Sequence, residues 1–358
     1  MINYTLSNFD GTLSLTFEDR TYESTNHSFK DEDNIRDFVF DVNAKKHNYE
    51  NNIDENSINE NNLKQTDTIC LDVDFETISF QKKSLIFIKG DQDIKHLTTE
   101  VNGININSAD NGCIKISASQ SYAHGIHSIT YKGQEWLDSL FPKPGPKSWW
   151  NPWVGGITTQ PQELTNLSIL KEKRSVNTAN IMDNMGNHWQ GICITLDIQE
   201  NEKFKGLILH QYFLMLPGVP VICCTTEIIQ NTNTLFNYKP FVTMAFFKPN
   251  ENIKESWYKV RNREGNEIKY KAGRVRQDTK VDSPICFGTD TRNERLLVIP
   301  NPSSFAEGID NNQVMGSILV NKVILSTGNR MFLPPMFLLF TEDNLEASLL
   351  KDLYNIKF

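Results

Sequence analysis

The sequence predicts an all-β protein built as a large antiparallel β-sandwich with one short helix at its C-terminus. Three observations carry that expectation. The apolar runs are short and rich in β-branched and aromatic residues, as in GLILHQYFLML and VPVICCTTEII. Turn phrases such as REGNE, STGNR and LPGVP separate them, with glycine placed where a tight reversal needs a positive φ. Strand and helix patterns do not alternate as they do in parallel βαβ units, and no internal repeat is visible.

Taken in order, GTLSLTFEDR and DFVFDV open the chain as strand-like runs. They are followed by an insertion near residues 43–66 dominated by Asn and Glu, which has little to bury and reads as a loop. TICLDVDF, SLIFIKG and CIKISAS resume the β pattern and complete an N-terminal region, residues 1–119. A second region, 120–358, holds longer strands: HSITYKGQEWL, HWQGICITLDI, the two runs around LPGVP, SWYKVRN, EIKYKAG, RLLVIP, SILVNKVILS and MFLPPMFLLFT. The tail DNLEASLLKDLYNIKF is the clear helix, with Asp343 and Glu346 as a capping pair and Leu345, Leu349, Leu350 and Leu353 on one stripe.

Composition narrows the function classes. The chain has 358 residues and a formal net charge of −8, and no basic run suits a polyanion, so nucleic acid is not an expected partner. It has no apolar stretch of membrane-spanning length, and its first residues lack a basic-then-apolar leader pattern, which points to the cytoplasm. The six cysteines lack CxxC or CxxH spacing, as expected of reduced, buried thiols rather than disulfides or a zinc site. The chain also lacks GxGxxG after a strand, GxxxxGK[ST], HExxH and GxSxG, so no cofactor or metal is expected.

Two constellations could carry chemistry. Five of the six tryptophans fall between residues 136 and 189, three of them within SWWNPWVGGI. A sugar ring presents a flat C–H face bordered by hydroxyls, so Trp149, Trp150 and Trp153 with Asn151 read as a carbohydrate platform, Gln160, Gln162 and Glu163 adding planar polar groups. The competing reading is that these rings plug the end of a sandwich. Gly155 and Gly156 permit close backbone approach or a bulge.

The second constellation is the strand pair joined at LPGVP. Period-2 alternation puts His210 and Tyr212 on one face, and Glu227 lies opposite His210 if the loop is Pro217 to Pro220. A carboxylate beside a histidine fixes its tautomer and suits it to general acid/base work, although such cross-strand pairs also simply stabilise sheets. His188 is a further candidate acid or base, and His188 or Arg174 an orienting group. HGIH, with His124 and His127, lacks a third ligand for a metal.

The succession HSITYKGQEWL, FPKPGPKSWWNPWVGGI, LHQYFLMLPGVPVICCTTEIIQNT and KPFVTMAFFKP resembles the β-super-sandwich of galactose mutarotase-like proteins, which includes aldose 1-epimerases and domains of glycoside hydrolases and polysaccharide lyases. The resemblance spans roughly residues 120–340 and lies in strand spacing and turn phrases. It implies a concave sheet face that binds sugar and, in the mutarotases, a His acid and a Glu base. Where the family carries a His-x-Tyr-Phe phrase after an Asn-Thr turn, this chain reads FVTMAFF with Met244 and Ala245. LHQYF occurs one strand earlier, and Glu342 is the nearest match to the base.

These readings together imply a carbohydrate-active protein with a small-molecule or oligosaccharide partner and an aromatic-lined cleft. Cofactor-free epimerase, lyase or hydrolase chemistry would run there on His210, Tyr212, Glu227 and His188. The alternatives are a non-catalytic sugar- or peptide-binding module, and a tailoring enzyme for a non-sugar substrate on the same fold.

Overall fold

Alternation of buried and exposed positions along the β-rich runs produces strands that pair antiparallel throughout. The structure is a computed structural model and describes residues 9–17, 20–29, 66–75, 78–261, 264–273, 277–281 and 284–358. The DFVFDV run and, but for Thr66, the Asn-rich stretch near 43–66 lie outside the described residues.

The chain divides into two units, Met1–Ile88 with Ser348–Asp352, and Lys89–Ala347 with Leu353–Phe358. In the first, the strands Arg20–Phe29, Phe9–Phe17, Thr66–Phe75 and Ile78–Phe87 form a four-stranded antiparallel sheet in that order. The boundary expected after residue 119 falls instead at 88/89. The reason is ladder pairing: Lys95–Val101, Ile104–Asp110 and Ile114–Ala118 join edge to edge onto Ile126–Tyr131, which places them in the second unit's sheet.

The second unit holds two ten-stranded sheets. The first runs from Gln277–Val281 through Phe305–Asp310, Met315–Leu325, Phe236–Phe246, Ile157–Pro161 and Ile126–Tyr131 to an edge at Lys95–Val101. The second runs from Lys173–Met182 through His188–Asp197, Leu207–Met215, Val221–Gln230, Met336–Thr341, Arg295–Ile299, Ile285–Thr289 and Ser256–Arg261 to Glu267–Lys271. One core joins the sheets: Ile129, Ala245 and Leu319 of the first pack in the same cluster as Ile194, Phe213, Phe287 and Leu338 of the second. Between the layers, a Cβ on Gly308 would sit 2.9 Å from the Tyr258 ring, so glycine fits there without displacing the ring. Period 2 then fixes two outer faces, one per sheet, and both candidate constellations lie on them.

The tail forms a short 3-10 helix, Ala347–Asn355, rather than an α-helix beginning at Asp343. Asp343 instead turns back, its N–H bonded to Thr341 Oγ1 at 2.9 Å, and Glu346 occupies the N-cap position without a side-chain capping bond to the helix. Leu350 and Leu353 are the residues of the expected stripe that become buried.

Candidate functional site

The SWWNPW segment is a hairpin on the outer face of the first sheet. Gly145–Lys147 pairs with Trp150–Trp153, Lys147 opposite Trp150, and Ser148 and Trp149 make the turn. Ser148 is a non-glycine residue at φ 57°, a conformation held from outside the hairpin. Its N–H donates to Gln313 Oε1 at 2.5 Å and its hydroxyl accepts from Asn311 Nδ2 at 3.1 Å. Asn311 is itself locked, because its Oδ1 accepts the N–H groups of Gln313 and Val314.

The three tryptophans differ sharply in environment. Trp153 is buried and packs edge-on against Phe246, with centroids 5.3 Å apart, in a cluster with Ile309 and Val314. Trp150 is half-buried against the same Phe246. Trp149 is 54% exposed and lies over Trp150, centroids 4.4 Å apart. Lys147 Nζ sits 4.4 Å from the Trp153 ring and 2.6 Å from the Asp138 carboxylate, whose pKa burial raises while Lys147 opposes the rise. Met244 packs against the same apolar cluster as Trp150.

Gly155 and Gly156 are positions of close approach. Both have positive φ, 68° and 67°, and an added Cβ would lie 2.2 Å from Asp138 O at the first and 2.1 Å from Ile126 O at the second. Behind the hairpin, His127 stacks on Phe141 at 3.9 Å, and Tyr122 bonds through its hydroxyl to the Val154 carbonyl. His124 and His127 are both buried, and burial lowers their pKa values to about 3 and about 4; nearby Arg174 also lowers His124.

The second constellation lies on the outer face of the second sheet. Met215 pairs with Ile222 and His210 with Glu227, the register of a Pro217–Pro220 loop. Asn111 clamps that loop, its Nδ2 donating to the carbonyls of Leu216 and Val219 at 2.8 Å each. The ring of His210 does not bond to Glu227. Its Nδ1 meets Thr195 Oγ1 at 2.8 Å across the neighbouring strand, so a threonine fixes the ring where a carboxylate was expected. Glu227 lies 3.5 Å from Arg330 Nη1 and, with Cys193, is within bonding reach of the Tyr212 hydroxyl. Burial, reinforced by those two neighbours, raises the Tyr212 pKa, and burial pushes Cys193 up to about 11.

The platform and the His210 group therefore do not share a cleft. Ala245 and Phe213 face the common core, while Phe246 with the tryptophans and Tyr212 with His210 take the opposite parity on their respective sheets. His188 starts its strand exposed and lies on the parity of Ile192 and Ile194, not on that of Cys193 and Thr195. Arg174 binds backbone: Nε donates to Gln120 O and Nη1 to Ile169 O, each at 3.0 Å. Gln160 is buried on the Leu164 carbonyl, and Glu163 is paired with Lys239 and Lys203. Sequence reasoning missed Thr195, Arg330, Asn311 and Gln313. Each reaches its partner across strand ladders or from far along the chain, and no linear spacing signals such contacts.

Among the described residues, no group of three or more His, Cys, Asp or Glu could hold a metal ion, and no helix is long and apolar enough to cross a membrane. All six cysteines are free thiols.

No protein family and no curated protein matches the chain. Solved structures do. The chain is similar to a galactose mutarotase-like protein from Clostridium acetobutylicum, at 9% identity, over 70% of this chain and 98% of that one, with a TM-score of 0.47. It is similar to a candidate aldose 1-epimerase from Klebsiella pneumoniae, at 10% identity, over 81% and 87%, with a TM-score of 0.44. A third is a GH36 α-galactosidase from Geobacillus stearothermophilus in complex with raffinose, at 9% identity, over 69% of this chain but 40% of that one, with a TM-score of 0.42. Galactose mutarotase-like and aldose 1-epimerase proteins are thus among the solved structures this chain resembles, as its strand phrases do.

Proposed function

We propose that this protein binds carbohydrate on the Trp149–Trp150 hairpin. The observation that carries this reading is Trp149: a large aromatic ring left 54% exposed at a turn that Asn311 and Gln313 hold rigid. The ring rests on Trp150 and is still 54% exposed, and a preordered ring loses little entropy when a sugar's C–H face stacks on it. Asn151, exposed beside it, supplies amide groups for the bordering hydroxyls. Stacking of this kind contributes up to about 1.5 kcal/mol, about tenfold in affinity.

Tryptophan fluorescence titrated against a panel of mono- and oligosaccharides tests the proposal. Saturable quenching by at least one sugar is expected, with affinity lowered about tenfold or more in Trp149→Ala at unchanged melting temperature. Binding unaffected by Trp149→Ala would refute it.

A second reading adds chemistry: cofactor-free proton transfer by His210, with Tyr212 and Glu227 as partners. The Thr195–His210 bond supports it, since it orients the ring and leaves Nε2 for a reacting group. On this reading the proton-transfer face and the aromatic platform are separate surfaces, so a polymeric or branched ligand could engage each without sharing a cleft.

A further inference from the structure

Neither surface includes a shallow concavity at the other end of the second sheet's outer face. It is lined by Cys286 and Leu297, by Lys259, Arg261 and Arg295, and by residues 343–345. The lining alternates out of the core by parity: Val260, Ile285, Phe287, Leu296 and Val298 face the common cluster, which turns Lys259, Cys286, Arg295 and Leu297 outward.

Lys259, Arg261 and Arg295 line the concavity together with the carboxylates of Glu267 and Asp343, in a chain whose net charge is −8. Lys259 is paired with Glu267 at 2.5 Å. Among the described residues Arg295 has no carboxylate partner: its Nη1 donates to the neutral Asn344 Oδ1 at 3.2 Å, one of the five N–H donors of the guanidinium. Lys259 pairs with Cys286 from one side and Leu297 pairs with it from the other, so Lys259 and Arg295 stand on the two strands that flank the Cys286 strand; both pull down on the Cys286 thiol, which burial otherwise pushes up to about 11.

We propose that this concavity binds the oxyanion group, carboxylate or phosphate, of a small molecule, with Arg295 as the forked donor and Lys259 as the supporting charge. The planar guanidinium matches two oxygens of one group, and Asn344 fixes its plane in advance.

Calorimetric titration of the full chain with inorganic phosphate and, separately, with acetate at low ionic strength tests the site. Saturable binding of at least one of the two is expected, and which one binds identifies the group. Arg295→Ala should weaken it tenfold or more. Glu267→Gln, which releases Lys259 from its carboxylate, should tighten it several-fold, and Trp149→Ala should leave it unchanged. No saturable binding by the wild-type chain, equal affinity in Arg295→Ala, or no gain in Glu267→Gln would overturn the proposal. The Glu267→Gln arm still decides it if Arg295→Ala does not fold.

Discussion

Acid should weaken this fold through the two histidines behind the hairpin. His124 and His127 are 1% and 6% exposed, and burial lowers their pKa values from 6.5 to about 3 and about 4. A lowered native pKa contributes stability that is complete above 6.5 and is lost as pH falls through 6.5 towards the native values, because only the unfolded ring takes up the proton. Between pH 7 and pH 5 each ring costs about 2 kcal/mol, at about 1.4 kcal/mol per pH unit below 6.5. Asp310 opposes this: burial raises its carboxyl to about 6, so the native state protonates first and regains about 1 kcal/mol over the same interval. The net loss from these three groups is about 3 kcal/mol, a large part of the ~5–15 kcal/mol that holds a typical domain. Urea unfolding of wild type and His124→Gln at both pH values measures it. The variant should start less stable but lose about 2 kcal/mol less on acidification. An equal drop in both proteins, or a His124 ring that titrates near pH 6 by NMR, would refute the reasoning.

The remaining predictions concern the glycine turn and the second outer face. Gly156→Ala should destabilise by about 2–4 kcal/mol, because the new Cβ meets the Ile126 carbonyl as well as an unfavourable φ. Gly112→Ala, also at positive φ but with nothing within 4 Å, should cost about 1 kcal/mol, so equal losses of melting temperature would discount the clash. If His210 transfers protons, His210→Gln should slow any anomer exchange, elimination or hydrolysis found across a sugar panel by about 10²–10⁴-fold. Turnover that survives the substitution would remove His210 from the chemistry.

Much of the architecture was legible from short-range pattern. Alternation along GLILHQYFLML and VPVICCTTEII set which residues share a face, but the spacing around LPGVP left the register open between loop lengths, and the ladder pairs His210 opposite Glu227. The glycines after WWNPW were readable as close-approach positions because no other residue tolerates such backbone contact. The tail shows the limit of local signals: its capping residues and leucine stripe pointed to an α-helix, but Asp343 bonds back to Thr341 and the helix forms later with 3-10 geometry.

The sequence alone determined the all-β class, the antiparallel pairing and the residues able to do chemistry, since these follow from side-chain type and a period of two. It could not say which sheet each run joins, and that single fact decides the site. Because the tryptophan hairpin lies on one sheet and His210 on the other, with the shared core between them, the expected single cleft becomes two opposed surfaces. Tertiary structure also chose the partners: Thr195 rather than Glu227 holds the imidazole, and Asn311 with Gln313 holds the exposed indole's turn. The first contact depends on which strands lie side by side in the ladder, and the second on loop closure over more than a hundred residues, and linear pattern reports neither.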